Sequence, residues 1–110
     1  MKTLKEVCSE LGVSRRAVQG YEEAGLVKTT NKNKYGHLLY NQWEQKRIAQ
    51  IKFFQDLGFS IKEIGVLIDA PIEVLKPMII EQVEKLKEKV MKEEYTLQRA
   101  KELIKQLEKL

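Results

Sequence analysis

Two adjacent arginines, Arg15 and Arg16, directly follow Ser14, a serine that can cap a helix. The serine hydroxyl would accept a hydrogen bond from the first helical turn, and Gly25 can close the helix in a left-handed conformation. Arginines are poorly placed there, because the unpaired N–H groups of a helix N-terminus already carry positive partial charge. The arrangement becomes favourable when a polyanion lies outside the helix, so these residues predict the binding of phosphate groups.

The residues before this basic helix predict a second short helix packed against it. Thr3 and Glu6 have the spacing of a capping box, and apolar residues follow at i, i+3, i+4 and i+7. Gly12 interrupts the pattern before Ser14 begins the next helix. Two short helices joined by a tight turn that contains glycine are typical of a helix-turn-helix.

A lysine-rich segment after the basic helix predicts a β-hairpin, the wing of a winged helix. Leu26-Val27 and Tyr35–Tyr40 have strand-like composition and flank the polar run Lys28–Lys34. Lysines at the tip of a wing would contact phosphates without reading the base sequence, although an ordinary solvated loop has the same composition. The expected tip lysines are Lys28, Lys32 and Lys34.

Two further helices are predicted from their capping residues. Asn41 and Glu44 can cap a helix over Gln42–Leu57. Arg47 lies near the wing end of this helix and is expected to contact the DNA backbone. Ser60 and the glutamate three residues later can cap a short helix that ends at about residue 68.

The last predicted helix runs from Met78 to Leu110 without glycine or proline, and Pro77 suits its first turn. Its apolar residues repeat over four heptads and occupy eight of nine seam positions, which predicts a coiled coil. The exception, Glu93, either fixes the register near the midpoint of an antiparallel dimer or lies in a locally wet, frayed seam. The predicted division is a DNA-binding domain over 1–75 and a dimerisation helix over 76–110. The seam comprises Ile79, Val83, Leu86, Val90, Glu93, Leu97, Ala100, Ile104 and Leu107.

Charge and composition limit the possible functions. Residues 1–54 carry ten Lys/Arg against five Asp/Glu, whereas residues 55–110 carry ten against eleven. This asymmetry is typical of a protein that binds nucleic acid through its N-terminal half and associates through its C-terminal half, although a basic surface that only confers solubility would have the same charge. One cysteine and one histidine exclude an internal disulfide and leave too few ligands for a metal site, and no cofactor is expected. Without a nucleophile–base pair, phosphate loop, membrane span or signal peptide, we expect a cytoplasmic protein that is not an enzyme.

With these parts in order, the chain resembles the MerR family of bacterial transcription regulators along essentially its whole length. The resemblance implies an all-α fold with a small β-hairpin wing, in which a winged helix-turn-helix precedes a long coiled-coil dimerisation helix. The ordered set of motifs carries the resemblance, since a helix-turn-helix alone is weak evidence. The motifs are Leu11–Arg16, Tyr21–Leu26, Gly36, Leu39-Tyr40, Lys52–Ser60 and Glu63-Ile64.

The resemblance also implies a function. Such proteins are similar in forming antiparallel homodimers that bind double-stranded DNA, with each winged domain on one half-site of a pseudo-palindromic promoter. They distort an over-long promoter spacer so that RNA polymerase reads both promoter elements, and some members only repress. RNA polymerase or an effector protein is a further expected partner. On this chain the expected DNA contacts are Ser14, Arg15, Arg16, Gln19, Tyr21, Lys28, Asn31, Lys32, Lys34, His37, Tyr40 and Arg47.

This chain departs from the family pattern on the expected DNA surface. Gln19 and Gly20 stand where the family has a basic residue and an aromatic residue, and Leu38 stands where the wing has an arginine. Asn31-Lys32 replaces the paired arginines common in the wing. Gln19 either reads an adenine edge or is a solvent-facing filler. His37 either makes DNA binding sensitive to pH or is a plain wing contact.

Other functions are compatible with the same fold. An architectural or excisionase-like protein would bend DNA without coupling to transcription. A protein-interaction module would keep the fold and have weakened DNA binding, as the substitutions at Gln19-Gly20 and Leu38 suggest. No effector domain follows the coiled coil up to Leu110, so we expect either that such a domain lies beyond it or that a protein partner supplies the signal.

Overall fold

Five helices and a three-stranded antiparallel sheet make up the chain, and the computed structural model describes all 110 residues. The predicted fold class, all-α with a small β wing and a long terminal helix, is confirmed. No helix has both the length and the apolar composition that crossing a membrane requires. The elements are β1 (Lys2–Thr3), α1 (Leu4–Leu11), α2 (Arg15–Glu23), β2 (Asn31–Lys32), β3 (Leu38–Tyr40), α3 (Gln42–Asp56), α4 (Ile61–Leu67) and α5 (Ile72–Glu108).

Three of the helices begin with the capping boxes that the sequence predicts. At α1, the Glu6 N–H donates to Thr3 Oγ1 at 3.3 Å, and the Thr3 N–H donates to Glu6 Oε1 at 3.1 Å. The same reciprocal pair starts α3 at Asn41 and α4 at Ser60. Each box satisfies N–H groups that would otherwise lack a partner at the start of a helix. The capping boxes therefore fix where these three helices begin.

Left-handed glycines follow α1, α2 and α3 and turn the chain sharply. After α2, Gly25 has φ +74°, and the Leu26 N–H donates back to the Tyr21 carbonyl at 3.0 Å. Gly58 after α3 has φ +107°, and a Cβ there would lie 2.4 Å from Gln82 Nε2. Residues with a side chain rarely adopt such backbone angles, so both positions favour glycine for conformational reasons. At Gly58 the end of the Gln82 side chain would also have to move.

The sheet differs from the predicted hairpin in two ways. Leu26-Val27, predicted as a strand, is buried in the core as irregular chain, and the first wing strand is β2 at Asn31–Lys32. Lys28 therefore precedes the wing and does not lie at its tip. In addition, β1 pairs with the other edge of β3, giving the order β1-β3-β2. A two-residue strand has no periodicity to detect, so the sequence did not predict β1.

The hydrophobic core lies between α1, α2, α3, α4 and β3. Fourteen apolar residues are buried there, and they come from every one of these elements and the turns between them. The residues with almost no exposed surface are Val7, Val18, Tyr21, Tyr40, Ile48, Ile51, Ile64 and Leu67. This single core holds α2 rigidly against α1 and α3, which leaves only one side of α2 exposed.

The terminal helix α5 begins at Ile72, six residues before the predicted start at Met78. Pro71 is its N-cap, and Pro77 lies inside the helix, where proline removes one i→i−4 hydrogen bond and its ring crowds the carbonyl four residues earlier. Leu75, Met78 and Ile79 pack against the core. Ile79, predicted as a seam residue, thus contacts the helix's own domain.

The outer part of α5, from Lys87 onward, is exposed along its whole length. Gln82 Nε2 donates to the Leu57 carbonyl at 2.8 Å and ties the helix to the end of α3. Val83 and Leu86 are half-buried, whereas every residue from Lys87 onward is exposed. The helix has 37 residues, which corresponds to about 55 Å, and the molecule is 65 Å long in its largest dimension.

Candidate nucleic-acid interface

Helix α2 buries one side and exposes the other. Val18 and Tyr21 are in the core, and Ser14 Oγ accepts a hydrogen bond from the Ala17 N–H at 3.0 Å, as predicted for its cap. The arginines Arg15 and Arg16 are exposed. The four residues opposite the core lie at i, i+3, i+4 and i+7, which is one face of a helix. This outward face comprises Arg16, Gln19, Gly20 and Glu23.

The two tyrosines predicted to contact DNA have internal roles in the structure. Tyr21 is 2% exposed and donates its hydroxyl proton to Gln55 Oε1 at 2.6 Å. Tyr40 is 1% exposed and donates to Glu22 Oε1 at 2.6 Å. Burial raises the pKa of both phenols, and at Tyr40 the hydrogen bond to the Glu22 carboxylate raises it further. In this conformation both hydroxyl protons are donated within the chain, and the DNA contacts predicted for Tyr21 and Tyr40 stay predictions.

Arg47, which is also predicted to contact DNA, makes internal contacts in the structure. Its Nε donates to the Leu26 carbonyl at 2.8 Å, and its two terminal nitrogens donate to both carboxylate oxygens of Asp69 at 2.7 and 2.8 Å. Its side chain is only 11% exposed, and the guanidinium lies 5.5 Å from the centre of the Trp43 ring. The bidentate pair raises the pKa of Arg47 and lowers that of Asp69. Arg47 therefore joins three segments of the fold.

The tip of the wing is a tight three-residue loop over Lys34, Tyr35 and Gly36. The Asn33 N–H donates to the His37 carbonyl at 2.9 Å, and the Gly36 N–H donates to the Asn33 carbonyl at 3.0 Å. Asn33 Oδ1 accepts from the N–H groups of Tyr35 and His37 at 2.9 and 3.0 Å, and Gly36 has φ +81°. This pattern is typical of a hairpin closed by a left-handed glycine. It projects Lys34 into solvent at the end of the hairpin.

A cleft brings the basic helix, the wing and the start of α1 together. Arg15 at the first turn of α2 lines it, together with Lys5 from α1 and His37 from the wing. The β1–β3 pairing produces this arrangement, because it draws Thr3 and Leu4 alongside Leu38. Two basic side chains and an imidazole thus share one concave surface, a combination suited to phosphate oxygens through charge and hydrogen bonds.

The remaining predicted contacts lie around this cleft or on the wing. Lys32 and Lys34 are exposed on the hairpin, and Asn31 is half-buried where β2 pairs with β3. Lys28 is exposed between two buried neighbours before the wing begins. The exposed lysines and arginines among these residues are hydrogen-bond donors only, which suits them to binding an anion.

Two residues of this surface were not predicted from the sequence. Lys5 reaches the cleft because the β1–β3 pairing, which gives no sequence signal, sets the position of the α1 start. Tyr35 is 72% exposed at the wing tip, with Lys34 Nζ 5.2 Å from the centre of its ring. The only sequence signal for Tyr35 was its position between Lys34 and Gly36 in the predicted wing.

Comparison with known proteins gives a consistent result. A family model described as MerR HTH family regulatory protein matches residues 2–70. The transcriptional activator TipA of Streptomyces coelicolor is 32% identical over 66 residues, which cover 60% of this chain and 26% of TipA. The match thus spans about a quarter of the length of that relative.

Solved structures extend the likeness beyond the matched residues. A MerR-family transcriptional regulator from Bacillus cereus superposes with a TM-score of 0.73 at 29% identity, covering 96% of this chain and 81% of that one. HiNmlR, a MerR-family regulator lacking the sensor domain and bound to promoter DNA, superposes with a TM-score of 0.72. That match covers 87% of this chain and 77% of HiNmlR at 17% identity, so it shows the fold alone.

Proposed function

This chain belongs to the MerR family of helix-turn-helix regulatory proteins, and from that premise we propose that it is a dimeric, sequence-specific, DNA-binding transcriptional regulator. The observation that carries the proposal is the cleft where Arg15, Lys5 and His37 converge beside the outward face of α2. Helix α2 has nine residues, and an α-helix with its side chains has a diameter of about 10–12 Å, which fits a major groove about 12 Å wide. With α2 in the groove, the wing would follow the adjacent phosphates.

The exposed seam of α5 supports a homodimer. Val90, Leu97, Ile104 and Leu107 are each 44–56% exposed on one side of a helix that extends away from its own core. From Val90 to the helix end at Glu108, this free part is about 28 Å long. An antiparallel partner would cover the stripe and place two α2 helices on one duplex, where symmetric dimers bind paired half-sites.

Charge removal tests the proposed DNA contact. We expect Arg16→Ala to weaken binding to a duplex selected by the wild-type protein at least tenfold. Each lost phosphate contact should also reduce the slope of log K against log salt by about 0.9. Arg99→Ala, which removes an equal charge from the exposed part of α5, is the matched control and should bind as wild type does. Unchanged affinity of Arg16→Ala, or wild-type binding without salt dependence, contradicts the proposal.

A substitution within the seam tests the proposed dimer. Leu97→Asp places a charge on the seam, whereas Tyr95→Asp places the same charge on a side chain that is 65% exposed and off the seam. Sedimentation equilibrium at micromolar concentration should show dimers for wild type and Tyr95→Asp and monomers for Leu97→Asp. A monomeric wild-type protein contradicts the dimer.

Promoter distortion is the remaining part of the proposal. Bending a site of 20–30 base pairs by 40–90° costs about 1–6 kcal/mol, which phosphate contacts from two wings and two helices would offset. Circularly permuted fragments of the selected duplex should migrate according to the position of the site. Uniform migration would show binding without bending and contradict this step.

A further inference from the structure

The outward face of α2 contains a glycine that the fold does not require. Gly20 has helical backbone with negative φ, and a Cβ built there meets no atom within 4 Å. Glycine weakens a helix interior relative to alanine, because it loses more conformational freedom on folding. Neither backbone angle nor packing within the chain explains this residue.

Gly20 has no side chain, so an open gap, which we call the notch, lies at its Cα on the outward face of α2. Arg16 is one turn before it, and Gln19 and Glu23 are its neighbours on the same exposed face. The Gly20 carbonyl is already engaged, since it accepts the Ala24 N–H at 3.0 Å. The floor of the notch is therefore the Cα and its hydrogens, which offer van der Waals contact and no free hydrogen-bonding group. An apolar group can therefore come closer to the backbone at Gly20 than at a position that carries a Cβ.

We propose that Gly20 seats the 5-methyl group of a thymine in the major groove, an inference that rests on the proposed DNA-binding function. The thymine methyl is the apolar group among the base edges displayed in that groove. Without a Cβ, the helix approaches the base edge closely enough for contact between the methyl and the Gly20 Cα. Gln19, beside the notch, has the amide donor and acceptor that pair with an adenine edge. Together the two residues specify an A·T-rich step in each half-site.

Two alanine substitutions form a matched pair for the test. Gly20→Ala fills the notch, whereas Gly65→Ala adds the same methyl to α4, where it lies 3.8 Å from the Leu26 side chain in ordinary contact. Both substitutions favour helix, so we expect both to raise the melting temperature. Only Gly20→Ala should weaken binding to the duplex selected by the wild-type protein, by about fivefold or more, because the added methyl occupies the position of the thymine methyl.

Removing the DNA methyl group completes the test. Replacing thymines of the selected duplex singly by deoxyuridine should reveal one position per half-site at which wild-type affinity falls. Gly20→Ala should bind that deoxyuridine duplex and its thymine counterpart equally. The effects of the protein substitution and of the methyl removal would then not add, as expected for two groups in contact. Equal binding of the selected duplex by Gly20→Ala and wild type overturns the inference, as does the absence of any methyl-sensitive thymine. Failure of the wild-type protein to select any duplex overturns the proposed function itself.

Discussion

Replacing Arg47 by methionine separates a structural arginine from a phosphate-binding one. Methionine keeps the buried aliphatic stem and removes all three hydrogen bonds that the guanidinium makes. Arg47 is therefore the position where sequence pattern and structure make opposite predictions. If Arg47 binds phosphate, its loss weakens DNA binding and leaves the stability of the fold unchanged. If Arg47 holds the fold together, its loss lowers stability and leaves DNA binding unchanged.

The structure sets the expected magnitude for Arg47→Met. Asp69 is 76% exposed and regains water when the pair is broken, so this ion pair contributes about 0–1 kcal/mol. The Leu26 carbonyl is different, because Leu26 is buried and Arg47 Nε donates to that oxygen. A buried carbonyl without a donor costs about 1–3 kcal/mol. We expect Arg47→Met to lower the free energy of unfolding by about 1–3 kcal/mol, and the melting temperature by about 4 °C per kcal/mol.

The assay is urea unfolding at fixed protein concentration, together with DNA titration well below the melting temperature. Concentration must be fixed because dimerisation contributes to apparent stability. Asp69→Asn is the control, since it breaks the ion pair and leaves the Leu26 hydrogen bond intact, and it should cost less than about 1 kcal/mol. DNA affinity should stay within about twofold of wild type for both variants, because neither removes a proposed phosphate contact.

A different outcome would refute the structural role of Arg47. If Arg47→Met unfolds within about 0.5 kcal/mol of wild type, the range typical of uninvolved surface positions, the bond to Leu26 contributes nothing measurable. If DNA affinity falls tenfold at the same time, the guanidinium contacts phosphate in the complex. That pair of results would restore the prediction made from the sequence.

Three further predictions concern a buried hydrogen bond, a turn glycine and a helix cap. Tyr40→Phe removes the donor to the Glu22 carboxylate and should lower the free energy of unfolding by about 1.5 kcal/mol in urea titrations. Its DNA affinity, measured where the variant is fully folded, should not fall. Gly58→Ala should lower the free energy of unfolding by about 1–3 kcal/mol because of the positive φ at this position. Adding Gln82→Ala should restore only the part of that loss that comes from the contact with the Gln82 side chain. Full restoration would contradict the backbone explanation. The capping hydrogen bonds with Ser60 hold the pKa of the Glu63 carboxyl below its ordinary value. The carboxylate therefore stabilises the folded state above about pH 4, and this stabilisation is lost as the pH falls through the folded-state pKa. The urea midpoint of Glu63→Gln should accordingly fall less steeply with acid than that of wild type.

Local features were predictable because they depend on residues three or four positions apart. Thr3 and Glu6 lie within one turn, so their types and spacing were enough to predict the capping box that the structure contains. Gly25 follows α2 and has a left-handed conformation for the same local reason. The exposure of Arg16 opposite a buried Val18 follows from helical periodicity alone.

Features that depend on distant residues were not predictable in this way. Tyr21 and Gln55 are 34 positions apart, so no local pattern could show that their side chains form a hydrogen bond. The early start of α5 was missed because proline usually marks a first turn, and contacts of Leu75 and Met78 with the core favour helix on both sides of Pro77. The same packing uses Ile79 within its own domain.

Helix α2 shows most clearly which features the sequence determines and which depend on the tertiary structure. The sequence alone determined that Ser14 caps α2 and that Arg15 and Arg16 are exposed at its start, because capping and periodicity act within one or two turns. Only the tertiary structure decided which other polar groups accompany the arginines. Pairing of β1 with β3 brought Lys5 to the cleft, and burial turned Tyr21 and Arg47 inward. Whether a polar side chain faces solvent or the core depends on the partners that folding brings beside it.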